Sequence, residues 1–290
     1  MTMSTASFNE AVELLKVLTP MNASAFFRTL SEAGIKRLDS HEGIDWWNAN
    51  DTQRGQLLAK LREGPAREEC RKLLTDFLTP TSLYLATAGK PGRELLKSLP
   101  SYFDAQGLEI TQHEVRSKDG TRVPMFVVRK KDVAQAGKAV PTLLYGYGGF
   151  DISITPGFSA SRLAWVEAGG AYVVANIRGG GEYGKAWHDG GRLANKQNTF
   201  DDFIAAGEYL IAQGITRPDG LAVQGGSNGG LLVGAVVNQR PDLFAAGNAA
   251  VGVMDMLRFD RWTAGRYWVD DYGYPDREAD FRILRAYSPL

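Results

Sequence analysis

A chain of 290 residues that is 44% hydrophobic can bury a sizeable core, as one large or two modest domains. Its 33 basic residues balance 33 acidic ones, which leaves no electrostatic case for a nucleic acid or an anionic membrane surface as partner. Cys70 is the single cysteine, so an intrachain disulfide framework and a multi-cysteine zinc site are excluded, and a reducing compartment fits.

Residues 1–73 read as a mainly helical segment of unknown role. Phe8, Val12 and Leu15 recur at helical spacing, as do Phe26, Leu30, Leu57, Leu58 and Leu61. Trp46 and Trp47 are expected to pack inside it. The first residues carry no basic stretch leading into an apolar run, so no secretory leader is expected, and no apolar run reaches the length of a membrane span. Ser82–Ala86 reads as a short strand, followed by a turn across Gly89–Gly92 and by Leu95 and Leu96. Two further strands are predicted within 109–130 around the turn Lys118-Asp119-Gly120.

Beyond Lys130 the pattern becomes α/β. Pro141–Tyr145 is a short apolar strand entering the glycines of Tyr145-Gly146-Tyr147-Gly148-Gly149. Ala171–Ile177 is a second strand, apolar without alternation, as expected where both faces of a parallel sheet are covered. Thr199 then reads as a helix N-cap with Asp202 at the third helical position. Phe200, Phe203, Ile204, Gly207 and Leu210 share one side of that helix, and Gly214 ends it. Leu221–Gln224 is the next strand, Leu231–Asn238 the next helix, and Ala246–Val253 the following strand.

Gly225, Ser227 and Gly229 fit the G-x-S-x-G pattern of a nucleophile elbow, between an apolar strand and an apolar helix. A serine hydroxyl becomes an effective nucleophile only when a base takes its proton. The elbow's usual order is Ser, then Asp or Glu, then His, yet the only histidines are His41, His113 and His188, all upstream of Ser227. His188 reads as a hydrogen-bonding residue, and Asp255, Asp260, Asp270 and Asp271 receive no triad role. No pair of histidines has metal-ligand spacing. The glycines from Gly179 to Gly184 lack both the dinucleotide register and the P-loop Lys-Ser or Lys-Thr. Neither a metal nor a cofactor is expected.

The stretch from about Phe77 to Leu290 resembles the prolyl oligopeptidase family of serine peptidases. The resemblance rests on Ser117-Lys118-Asp119-Gly120-Thr121, on Leu144 to Phe150, on Asn176 to Gly184 with Trp187-His188, and on Ala194 to Asn198. It continues through Gly225 to Leu232, Asn238 to Phe244 and Val251 to Met256. It implies an α/β-hydrolase fold, a mostly parallel sheet with helices on both faces, over 107–290. It implies a remnant of the last propeller blade over 74–106, behind the helical 1–73. It implies hydrolysis after proline in short peptides, with Ser227 as nucleophile and the Asn228 N–H and Tyr147 hydroxyl as oxyanion donors. Phe150, Val251, Val253, Trp268 and Tyr272 match the apolar wall of the proline pocket. The family is of cytosolic type. Its catalytic Asp and His follow the motif at Tyr287-Ser288-Pro289-Leu290, so the fold is expected to be incomplete and the activity impaired. Alternatives are a non-catalytic remnant or peptide-binding module, and one half of a split hydrolase. An uncovered sheet edge near Ala246–Val253 is expected to favour self-association or a complementing chain.

Overall fold

The computed structural model of the chain describes residues 70–86 and 92–290. The chain divides into two compact units, 1–100 and 101–290. In the first, strands β1 (Cys70–Leu74), β2 (Ser82–Ala86) and β3 (Glu94–Ser98) form an antiparallel meander in that order. The β1–β2 corner is held by Asp76, whose Oδ1 accepts from the N–H groups of Leu78 and Thr79 at 2.7 and 2.6 Å. Most of the segment expected to be helical, Trp46, Trp47 and His41 included, lies outside the described residues. Its last residues correct the expectation: Cys70–Leu74 is a strand, in register with β2 from Cys70 opposite Ala86 to Leu74 opposite Ser82. Cross-strand pairing, which local periodicity does not report, decides the conformation there.

The second unit is an α/β-hydrolase-like domain built on a mixed six-stranded sheet. β4 (Leu108–Arg116) and β5 (Arg122–Lys130) form a hairpin, followed by helix α1 (Lys131–Gln135) and β6 (Thr142–Tyr145). Helix α2 (Ala160–Glu167), β7 (Ala171–Ala175), α3 (Lys185–Asp189) and α4 (Lys196–Ala212) come next. The chain continues through β8 (Leu221–Gly226), α5 (Asn228–Gln239), β9 (Ala246–Ala250), α6 (Val269–Tyr272) and α7 (Glu278–Tyr287). The sheet order is β4-β5-β7-β6-β8-β9. The β4/β5 and β5/β7 pairs are antiparallel, and the β7/β6, β6/β8 and β8/β9 pairs are parallel. The connections explain the mixture: a tight turn can join only antiparallel strands, whereas the parallel pairs need helical crossovers.

Val123, Met125, Val127, Leu144, Val173, Phe200, Phe203, Leu231 and Leu232 form a core that solvent scarcely reaches. All five residues of β7 are buried, which is why its sequence does not alternate. α4 ends as predicted at Gly214. The Gly214 N–H donates to Ile211 O at 2.9 Å and the Ile215 N–H to Leu210 O at 3.0 Å, the bond pair of a Schellman cap.

The beginning of α4 differs from the expectation. The helix starts at Lys196, and Thr199 and Asp202 lie inside it, fully buried. The Thr199 hydroxyl donates to the carbonyls of Arg178 and Gly191, both at 2.9 Å. Asp202 accepts from the Arg178 backbone N–H at 3.0 Å and from its guanidinium at 2.6 to 3.2 Å. The same guanidinium donates to Asp119 at 2.5 Å, tying the β4–β5 turn to α4. A buried cation outcompetes capping for these side chains.

β9 is shorter than expected, ending at Ala250. It pairs with β8 on one side and is an edge strand among the described residues. Val251 turns out of the ladder at φ 44° and is 87% exposed. No helix among the described residues is long and apolar enough to cross a membrane.

Candidate active site

Adjacent parallel strands place the site. β6 and β8 run side by side, Tyr145 opposite Gln224, and each ends in a sharp turn at the same end of the sheet. Beyond β8 the chain turns at Ser227 straight into α5. Ser227 adopts φ 58° and ψ −118°, a conformation that L residues avoid. It is held there by its N–H donating to Ala250 O at 2.9 Å and its carbonyl accepting from Gly230 and Leu231 at 2.9 and 3.1 Å. A Cβ on Gly225 would stand 2.2 Å from the Gly229 carbonyl oxygen, so glycine at that position is a steric requirement of the turn.

Beyond β6 comes Tyr147. Its phenol lies close enough to the Ser227 side chain for the two to influence one another. Burial, with the nearby Asp271 carboxylate, holds the phenol above its ordinary pKa against a lowering influence of Ser227, so it stays a neutral donor at neutral pH. Asn228 is the first residue of α5, where a backbone N–H has no intrahelical acceptor. Ser227, Tyr147 and Asn228 thus meet at one point, where a helix N-terminus also favours developing negative charge.

The Asn228 side chain is bound at every polar atom. Its Nδ2 donates to Tyr147 O at 2.6 Å. Its Oδ1 accepts from the Tyr272 hydroxyl at 2.9 Å and from Lys196 Nζ at 3.2 Å. Lys196 is 1% exposed and also donates to Gly148 O at 2.8 Å.

Of the predicted apolar wall, Phe150 and Tyr272 meet edge to face, with ring centroids 5.4 Å apart. Phe259 packs on the Tyr272 ring at 5.2 Å. Trp268 and Val253 are half-buried against the core, and the Trp268 carbonyl accepts from the Tyr272 N–H at 3.0 Å. Val251 faces solvent in this structure.

His188 is the hydrogen-bonding residue expected of it, whereas sequence reasoning gave no role to its partner, Asp271. Asp271, nearly buried, accepts from the Phe150 N–H at 3.2 and 3.3 Å, fixing the loop that carries Tyr147. It also bonds His188 Nε2 at 2.5 Å, so His188 links α3 to α6 across 83 positions of sequence. His113 on β4 is bound between Thr111 of the same strand and Tyr209 of α4, and burial lowers its pKa. The glycines after β7 serve close packing: at Gly179, φ 95°, a Cβ would lie 2.5 Å from Gly148 O. No group of acidic, cysteine or histidine side chains among the described residues could hold a metal ion.

Comparison with known proteins accords with this geometry. Residues 156–290 match the sequence profile of the prolyl oligopeptidase family. A prolyl endopeptidase of Elizabethkingia miricola is 46% identical over 217 residues, which are 74% of this chain and 31% of that protein. One of Dictyostelium discoideum is 56% identical over 174 residues, 60% of this chain and 23% of that protein. The solved structure of a post-proline cleaving enzyme from Rickettsia typhi is 39% identical with a TM-score of 0.71, covering 77% of this chain and 32% of that one. The chain therefore spans about a third or less of the length of the relatives it matches.

Proposed function

With residues 156–290 a prolyl oligopeptidase family domain, the chain belongs to that family of serine peptidases, and we propose that its site hydrolyses peptide bonds after proline in short peptides through an acyl-enzyme. Ser227 is the nucleophile in this reading. The Asn228 N–H and the Tyr147 hydroxyl receive the carbonyl oxygen as it becomes an oxyanion, and their hydrogen bonds strengthen as charge develops. Phe150, Val253, Trp268 and Tyr272, with Val251 at the rim, take the pyrrolidine ring, which is rigid and apolar and needs no polar partner. The observation that carries the reading is the strained Ser227 backbone at a strand-to-helix turn, with the Tyr147 phenol beside its side chain. The proposed setting is cytoplasmic.

Acylation needs a base, and the given sequence holds no histidine after Ser227. We therefore assign the base to no residue of this sequence, and propose that the 290-residue chain alone is slow. Loss of a triad member leaves only what oxyanion stabilisation and binding supply, so turnover of a Gly-Pro chromogenic substrate should fall at least about 10³-fold below that of a relative with a full triad. The test compares the purified chain, its Ser227→Ala variant, and the chain mixed with a polypeptide bearing the strands that carry Asp and His in relatives. Rescue by the mixture would support a site completed by a further polypeptide segment, as in a split hydrolase. A folded chain that binds proline peptides and stays silent in every arm is a peptide-binding module. Rapid Ser227-dependent turnover abolished by His188→Ala would make the His188–Asp271 pair the base and overturn the assignment.

A further inference from the structure

A lysine ammonium buried beneath a serine nucleophile, with no carboxylate bonded to it, calls for explanation. Lys196 lies in the first turn of α4, and its Nζ reaches two neutral acceptors, Gly148 O at 2.8 Å and Asn228 Oδ1 at 3.2 Å. It stands 5.6 Å from the Tyr272 ring centroid. Desolvation brings its pKa down to about 8, against a raising influence of Asp271. Such a group is costly to bury, and a methionine of similar volume would fill the same space without that penalty. What the ammonium adds is direction. Gly148 adjoins Tyr147, and Asn228 adjoins Ser227. Asn228 in turn donates to Tyr147 O and accepts from the Tyr272 hydroxyl. One cation thus bridges the loop bearing the phenol, the first turn of the helix bearing the backbone donor, and the aromatic wall.

We propose that Lys196 is a positioning residue that holds the Tyr147 hydroxyl and the Asn228 N–H aimed at one oxyanion. The proposal rests on the acyl-transfer reading of Ser227. The groups facing Lys196 are Asp271 and Tyr272 of α6, with His188 behind Asp271 and the Tyr147 phenol beside it.

The test uses two probes on the 290-residue chain, an N-acylated Gly-Pro dipeptide ending in an aldehyde and the same peptide ending in an alcohol. Ser227 Oγ adds to the aldehyde carbon, the C=O π bond opens, and the hydroxyl proton passes to the former carbonyl oxygen, giving a hemiacetal with no leaving group. The alcohol fills the pocket but offers no such oxygen. The wild-type chain should prefer the aldehyde, and Ser227→Ala should abolish the preference. Without that result the acyl-transfer reading fails, and the proposal with it. Given that result, Lys196→Met should reduce the preference at least about tenfold, a fraction of what loss of a whole oxyanion donor costs, while alcohol binding stays within about twofold. An unchanged preference in a folded Lys196→Met chain overturns the proposal. If Lys196→Met does not fold, the pH profile of the wild-type chain decides. The preference should decline from pH 7.5 to 9.5 as Lys196 loses its proton, and a flat profile overturns the proposal. The Tyr147 and Tyr272 phenols, both raised by burial, keep their protons over that range.

Discussion

Neutralising Lys196 should make the fold more stable, and the size of the gain follows from its burial. In the unfolded chain the amine titrates near 10.5, and in the folded chain near 8, because burial disfavours the charged form. Between those values the unfolded chain binds a proton that the folded chain lacks, so stability rises with pH across that window. A difference of about 2.5 units corresponds to about 3 kcal/mol in full, of which about 2 kcal/mol is gained between pH 6.5 and 9.5. The side chain is 1% exposed, so solvent screening takes little from this figure. Urea unfolding followed by tryptophan fluorescence, at pH 6.5 and 9.5, should give the wild-type chain about 2 kcal/mol more of this pH-linked gain than Lys196→Met. Subtracting the variant removes the contribution of buried phenols, such as those of Tyr272 and Tyr287, which act in the opposite sense as the unfolded chain ionises near pH 10. Equal pH dependence in the two proteins would refute the reasoning, since it would mean that Lys196 is as well solvated in the folded chain as in the unfolded one.

Asp202→Ala should destabilise the fold by about 3 to 5 kcal/mol in denaturant melts, because it leaves the Arg178 guanidinium buried with only the partly exposed Asp119 as counterion. Acid should weaken the same junction. The Asp119 carboxyl is held at about 2, first by its hydrogen bond from Arg178, so its contribution is complete above its ordinary 3.8 and disappears as pH falls toward about 2. Asp119→Asn should flatten that part of an acid titration followed by circular dichroism. Gly225→Ala, whose methyl would stand 2.2 Å from the Gly229 carbonyl oxygen, should cost about 1 to 3 kcal/mol and abolish reaction of Ser227 with the peptide aldehyde. The exposed Val251 beside the open edge of β9 should bind an apolar fluorescent dye, and Val251→Asp should weaken dye binding.

The sheet and the elbow are legible in the sequence because their signals are local. The strands β6 and β8 run directly into glycines, β7 is an unbroken apolar run, and Gly225 of the elbow pattern answers to the Gly229 backbone four residues on. What escapes reading depends on distant partners. Thr199 and Asp202 satisfy a capping rule, yet Arg178, 24 positions before Asp202, claims the carboxylate. β1 is set by its ladder with β2, which periodicity within Cys70–Leu74 does not encode. The Asp271–His188 bond spans 83 positions and has no spacing rule. Lys196 did leave a trace. It lies three, four and seven residues before Thr199, Phe200 and Phe203, so it occupies the buried stripe of α4, and a lysine on an apolar stripe is a signal in itself.

The pairing of Tyr145 with Gln224 gives the sheet the part of a ruler. Neighbouring strands stand about 4.8 Å apart whatever the loops beyond them do. Tyr147 is two residues past one mark on that ruler, and Ser227 three past the other. The distance from phenol to serine is therefore fixed by backbone pairing. Loops far from these two short steps are free to lengthen without disturbing it, as between Lys130 and Thr142. One residue inserted between Tyr145 and Tyr147, or between Gln224 and Ser227, would swing a side chain to the opposite face and separate the pair. Tolerance to insertion along this chain should accordingly be graded by distance from two points on adjacent strands, not by exposure alone.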